Sequence, residues 1–252
     1  MSQGLRRAAL ATVLLALSSC SEPDPGHSTL REPSSAARID ILGTQSKTYS
    51  QFDEDLIIRD FFQDRRDGFY LDVGCAWAER ASTTYYLEKH LGWSGIGVDA
   101  VAEYAPGWAK KRRRAKFFNY LVSDHSDTED TFYRTNWPSV SSAVKEMAEK
   151  FEGGYEEIAV PTITLNRLLE ITGVSKIDFL SMDIEGFQMT ALKGFDIQKY
   201  QPDLVCIEAY YEDRAKIKAW FEERGYRRID RYLERDSINW YFSPMSGHDP
   251  GS

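Results

Sequence analysis

Phe69-Tyr70-Leu71-Asp72-Val73-Gly74 is a short apolar run that carries one carboxylate and stops at a glycine. Gly68 precedes it, so the run is bounded at both ends and reads as a buried strand. The same device returns in Gly95-Ile96-Gly97-Val98-Asp99, a second strand that closes on a carboxylate. Phe117 to Val122, Ile177 to Met182 and Leu204 to Ala209 read as further strands. Helical segments separate them. Ser50 and Asp53 form a capping box ahead of Leu56, Ile57, Phe61 and Phe62, which make one apolar helix face. Ser82 to Leu91 is helical, and a basic helix runs to Arg114. Ala191-Leu192-Lys193-Gly194 closes another helix, and Glu212 to Arg224 is a helix stopped by Gly225 as a left-handed C-cap. Strands alternating with helices predict an α/β fold, a mostly parallel sheet with helices on both faces. Tyr226 to Tyr232 and Asn239 to Ser243 are two last strands joined by an Arg235-Asp236-Ser237 turn. So short a connection makes that pair antiparallel. The stretch between Val122 and Ile177 is less regular.

The 252 residues are 42% hydrophobic and 28% charged, an ordinary globular balance. Lys plus Arg number 31 against 39 Asp plus Glu, for a formal net charge of −8. An acidic chain is ill suited to neutralising phosphates, so nucleic acid is not an expected partner. Nothing approaches the roughly 18 apolar residues of a membrane span. Three cysteines exclude a disulfide scaffold. Cys75 lies after the first strand and Cys206 within a later one; in a sheet that places the Asp183 strand between these two, they are about two strand widths, or ~10 Å, apart. That is too far for a disulfide, which needs Cα atoms within about 7 Å. His90 and His125 lack metal-ligand spacing.

The amino-terminal end has a different character. Arg6 and Arg7 precede an apolar block from Ala8 to Leu17, and Leu17-Ser18-Ser19-Cys20 ends in small residues and a cysteine. This is the form of a secretory signal over 1–19. Its last four residues resemble a bacterial lipobox, which implies lipidation of Cys20 and a membrane-anchored, exported protein. The alternative is a mis-assigned start codon and a cytoplasmic protein. Residues 20–37 are rich in Ser, Pro and charge and read as a disordered tether. The folded domain is expected over 38–244, with a polar tail over 245–252.

In a doubly wound sheet, ligands bind beyond the carboxyl ends of the strands. Gly74 lets the backbone approach a ligand, Asp72 can hold hydroxyls or a cation, and Asp99 suits ribose hydroxyls. The Gly-x-Gly-x-x-Gly of dinucleotide binding is absent after the first strand, so the pattern suits S-adenosylmethionine better than NAD. Asp183-Ile184-Glu185-Gly186 follows another strand. Two acids there exceed what a helix cap needs, although capping is the simpler reading.

Five blocks, in order over residues 48–210, resemble the FkbM family of methyltransferases. They are Ser50-Gln51-Phe52-Asp53-Glu54-Asp55-Leu56, then Asp72-Val73-Gly74, then Ser82-Thr83-Thr84 with Gly92-Trp93-Ser94-Gly95-Ile96. Ser123-Asp124 before Phe132-Tyr133 is the fourth. Thr164-Leu165 with Ile177-Asp178-Phe179-Leu180-Ser181-Met182-Asp183-Ile184-Glu185-Gly186 and Leu192-Lys193-Gly194 is the fifth. The resemblance implies a Rossmann-like three-layer sandwich whose sheet ends in an antiparallel hairpin. It also implies methyl transfer from S-adenosylmethionine to a hydroxyl of a sugar or other small polar acceptor. Asp72 and Gly74 would line the methionine end of the cofactor, Asp99 its ribose and Asp124 its adenine, with Ser123 also among the cofactor-binding residues. Asp183 and Glu185 would be catalytic, as general base or, with Glu208, as holders of a divalent cation. The sequence departs from the family pattern at Trp77 and Ala78, where Asp and Gly are common, and at Gln188, which replaces a Glu. A second reading keeps the fold as a non-catalytic module of an exported lipoprotein. Lys110-Lys111-Arg112-Arg113-Arg114 is read as a solvated helix face, or else as a site for anionic groups. Trp137 to Glu149 either covers the acceptor site or packs as a helix.

Overall fold

A computed structural model describes residues 38–246. Among them are ten strands: β1 (Phe69–Val73), β2 (Ser94–Asp99), β3 (Ala115–Asn119), β4 (Leu121–Val122), β5 (Glu129–Thr135), β6 (Tyr155–Ile163), β7 (Phe179–Met182), β8 (Leu204–Glu208), β9 (Tyr226–Arg228) and β10 (Asn239–Pro244). The helices are α1 (Ile41–Thr44), α2 (Glu54–Phe62), α3 (Tyr85–Leu91), α4 (Ala105–Lys111), α5 (Lys145–Ala148), α6 (Leu165–Thr172), α7 (Gln188–Lys193), α8 (Ile197–Tyr200) and α9 (Arg214–Glu222). Seven strands form one sheet in the order β3-β2-β1-β7-β8-β10-β9. All its pairings are parallel except those of β10, which runs antiparallel to both β8 and β9. This is the expected Rossmann-like α/β sandwich, with the terminal strand pair folded in so that its second strand lies inside the first.

The two-residue period of the strands builds the three layers. On β1, Leu71 and Val73 join one buried cluster while Tyr70 joins the other. On β7, Leu180 and Met182 go one way and Phe179 the other; on β8, Val205 and Ile207 oppose Leu204 and Cys206. α6, α7, α8 and α9 cover the first face, and α2 and α3 cover the second. Apolar residues thus fill both faces of the central strands, as a parallel sheet requires. Cys75 and Cys206 are buried and unbridged.

Four local expectations are corrected. Ser50 and Asp53 do not form a capping box: Asp53 is the N-cap of α2 without a side-chain bond, and Ser50 Oγ accepts from the Asp55 amide at 3.2 Å. α4 stops at Lys111, so the basic run leaves the helix, and Arg112 turns inward to be buried while Arg113 and Arg114 stay exposed. The third strand divides after Asn119, and β4 leaves the main sheet to pair with β6. The irregular region contains the longest ladder of the described residues, β5 against β6 from Glu129↔Pro161 to Thr135↔Tyr155. These strands are half exposed and carry Glu129, Asp130, Arg134, Glu156 and Glu157, so charge masks their alternation.

Candidate active site

β1, β2, β7 and β8 all end on one edge of the sheet, and the acids expected to act are gathered there. Gly74 has φ +77°, and a Cβ on it would lie 1.7 Å from the Asp183 carbonyl oxygen. Only glycine allows the loops after β1 and β7 to touch in this way. The Asp183 amide in turn donates to the Val73 carbonyl at 2.9 Å. Asp72 is buried and accepts from Thr84 Oγ1 at 2.6 Å; burial raises its carboxyl pKa. Asp99 accepts from the amides of Ala76 (2.9 Å) and Val101 (2.8 Å). Burial nonetheless pushes its carboxyl up to about 6.

Two cavities open along this edge. A smaller one of about 490 Å³, counting open solvent, has mainly apolar walls from Val98, Val101, Tyr120, Leu121 and Phe132, with Asp99 on one side and Asp183 and Glu185 where it meets the second. An open cleft of about 1380 Å³, counting solvent at its mouth, is floored by Glu54, Asp72, Asp183, Glu185 and Glu208. Gly74, Ala76, Ser139, Asp183 and Glu185 line both. Phe52, Trp137 and Ile238 line the cleft and are exposed at it, Trp137 to 61%. The segment from Trp137 therefore has two parts. Trp137, Ser139 and Val140 line the cleft, while Met147 is buried beside Gly186. Trp77 borders the cleft with its ring edge-on to Tyr104 and the Arg80 guanidinium 4.2 Å from its centroid.

Asp183, Glu185 and Glu208 each offer a carboxylate oxygen, and the three lie within 4.8 Å of one another. That is a set a divalent cation could accept, or a set that must share protons. Asp183 is open to the cleft, yet the walls around it and the Glu208 charge hold its carboxyl well above the usual range. Burial and the neighbouring Asp183 raise Glu185 to about 7, and burial and Glu185 raise Glu208 to about 7. Capping does not explain these acids, because α7 begins only at Gln188 with Phe187 as N-cap. Glu185 instead sits at φ +50°, followed by Gly186 at +87°.

Two neighbours that sequence reasoning passed over, Tyr210 and Ser142, fix this loop, and Gln188, noted only as a departure from the family pattern, holds the third acid. Tyr210 donates its hydroxyl to Glu185 Oε2 at 2.6 Å, and Ser142 Oγ donates to the Glu185 carbonyl at 2.7 Å. Gln188, buried, donates its amide to Glu208 Oε2 at 2.9 Å, where a Glu would add a further negative charge. Ser123 and Asp124 are placed apart from the other expected residues. Ser123 is buried with its amide on the Ile163 carbonyl. Asp124 is exposed and holds His125 Nδ1 at 2.9 Å, although Tyr120, Leu121 and Val122 just before them reach the smaller cavity. Cys20, the expected lipidation site, lies outside the described residues.

No curated protein matches the chain. Among solved structures it is similar to a TehB-like SAM-dependent methyltransferase from Corynebacterium glutamicum, at 12% identity over 81% of this chain and 91% of that one, with a TM-score of 0.43. A SAM-dependent methyltransferase from Geobacter sulfurreducens in complex with S-adenosyl-L-homocysteine is similar at 8% identity, covering 81% and 96%, with a TM-score of 0.40. A ribosomal RNA methyltransferase from Plasmodium falciparum is similar at 13% identity, covering 79% and 100%, with a TM-score of 0.44. Residues 66–228, more than half of the chain, match the model of the methyltransferase FkbM domain, and the chain belongs to that family.

Proposed function

We propose that this methyltransferase uses S-adenosylmethionine to methylate a hydroxyl of a sugar or other small polar acceptor. The observation that carries the reading is that two cavities of different chemistry meet at Gly74, Ala76, Asp183 and Glu185. The smaller one suits an adenosine, with apolar walls for a base and Asp99 for ribose hydroxyls. The cofactor supplies, when bound, a methyl group on a positively charged sulfonium, a charge that an acid-floored cleft favours. Asp72, Gly74 and Asp99 would hold it. Asp124, the residue proposed for the adenine, is exposed and paired with His125 through one carboxylate oxygen.

The chain's own task is to bring a hydroxyl into line and remove its proton as the new bond forms. Asp183 and Glu185 are the bases proposed, at the junction of the cavities. With Glu208 they could instead hold a divalent cation that acidifies the hydroxyl. A chelator separates the two: full activity in EDTA supports the base, while loss restored by magnesium supports the cation. The acidic floor disfavours an anionic acceptor or a nucleic acid backbone. The aromatic rim at Phe52 and Trp137 offers faces for the apolar side of a sugar ring.

Calorimetry of the full chain with S-adenosylmethionine tests the core of the proposal. Saturable heat, lost in Asp99→Ala, is expected; no heat at millimolar cofactor overturns it. The lipid anchor is a separate proposal. Labelled palmitate should enter the wild-type chain and not Cys20→Ala. No helix of the described residues is long and apolar enough to cross a membrane.

A further inference from the structure

The turn after β1 is held from outside by two side chains one helical turn apart. Trp108 Nε1, on α4, donates to the Ala76 carbonyl at 2.9 Å, and Arg112 Nε, just beyond α4, donates to the Ala78 carbonyl at 2.6 Å. The remaining Arg112 nitrogens reach Ser82 Oγ at 2.6 Å, Thr84 Oγ1 at 3.1 Å and the Tyr70 hydroxyl at 3.0 Å. Thr84 passes the link on, donating the same hydroxyl to Asp72 at 2.6 Å. One guanidinium therefore joins the Ala78 carbonyl to the residue that orients the Asp72 carboxylate.

Stability alone does not account for this arrangement. The Arg112 side chain is 0% exposed; among the described residues it pairs with Glu88 at 3.5 Å and lies over the rings of Trp108, Tyr85 and Tyr70 at 4.4, 5.0 and 5.9 Å. Desolvating a charge this deeply buried is costly, and well-packed aliphatic residues of similar volume often serve stability as well as a buried ion pair. What an aliphatic residue lacks is a set of directed donors. Ala76 shows why they are needed. It sits at φ +41°, a left-handed conformation that disfavours any side chain and persists only where the surroundings impose it. Its amide is bound by Asp99 and its carbonyl by Trp108. Trp77 and Ala78 stand in this turn, so it has no glycine after Gly74 to take up the curvature.

We propose that Arg112 and Trp108 are positioning residues that hold the turn from Gly74 to Ala78, and through Thr84 the Asp72 carboxylate, in the shape that receives the cofactor. The proposal rests on the S-adenosylmethionine reading above. Its test is calorimetric titration of the full chain with S-adenosylmethionine in Trp108→Phe, Thr84→Val and Arg112→Met, each first checked for a cooperative thermal transition. The affinity should fall at least about tenfold in Trp108→Phe and Thr84→Val, and in Arg112→Met if it folds. Adding Ala76→Gly to Trp108→Phe should recover at least about threefold of that loss, because glycine adopts the left-handed turn without outside support. Lost core packing would not be rescued this way. If the wild type binds and the folded variants bind within about twofold of it, the positioning role is overturned and the cofactor reading stands. Tenfold loss without rescue by Ala76→Gly overturns it equally. A wild type that does not bind overturns both.

Discussion

Asp183 and Glu185 stand two residues apart but are held differently. Asp183 shares its surroundings with Glu208, whereas Glu185 is fixed through Tyr210 and Ser142. Asp183→Asn and Glu185→Gln should each lower kcat by about 100-fold or more, the usual worth of a positioned base. Steady-state rates at wild-type speed in both would remove them from the chemistry. A base must be unprotonated, and Glu185 and Glu208 are raised to about 7, so the rate should climb with pH from about 6 to 8. A rate flat over that window would contradict the assignment. Glu54 tests the same physics through stability. It is 5% exposed and burial raises it from 4.5 to about 7. The folded state then keeps a proton that the unfolded state has released, so stability falls as pH rises between those values. Glu54→Gln should raise Tm at pH 8, by an amount corresponding to about 1–3 kcal/mol, and do nothing at pH 4. The placement of Asp72, Gly74, Asp99, Asp183 and Glu185 at one edge of the sheet was legible because a carboxylate or glycine at a strand end is visible in the strand itself. Tyr210, Gln188, Ser142 and Arg112 were not. Their partners lie 25, 20, 43 and 34 residues away, and only folding brings them together.

Among the elements, the second sheet is the one the sequence pattern hides. The strands of the main sheet announce themselves by apolar runs ending at glycine or acid, since both their faces are covered. β5 and β6 have one wet face, and their charges break the alternation that would reveal them. Yet this hairpin supports the site. Ser142 exchanges backbone bonds with Tyr133 of β5 at 2.9 and 3.2 Å, and its hydroxyl supports the Glu185 carbonyl. The hairpin thus carries the residue that steadies the left-handed Glu185. Ser142→Ala leaves the half-buried Glu185 carbonyl and the Val144 amide short of a partner, a loss of about 1 kcal/mol. The expected result is a kcat about tenfold lower with S-adenosylmethionine affinity within about threefold of wild type. Equal losses in both would mean that the hairpin supports the fold generally and not the loop after β7.

At the scale of the whole molecule, charge decides what the domain can receive. The chain is already at −8, and five acids floor one cleft. Glu54, Glu185 and Glu208 are each raised to about 7. All three bind more protons folded than unfolded between about 4.5 and 7, so the empty protein should lose stability as pH rises through that window. A cationic ligand relieves the strain that remains at pH 8. At 100 times its Kd, a ligand adds about 2.7 kcal/mol, which in a domain of this size raises Tm by roughly 5–10 °C. S-adenosylmethionine should therefore raise Tm at both pH 6 and pH 8, and by more at pH 8. S-adenosylhomocysteine, which has the same adenosine but no sulfonium charge, should show a weaker pH dependence. NAD at the same concentration should leave Tm unchanged. Differential scanning calorimetry at pH 6 and pH 8, with and without each ligand, decides the matter. Identical pH behaviour for the charged and uncharged forms would mean that the acids at the junction do not face the methyl group, and the base would then have to be sought elsewhere in the cleft.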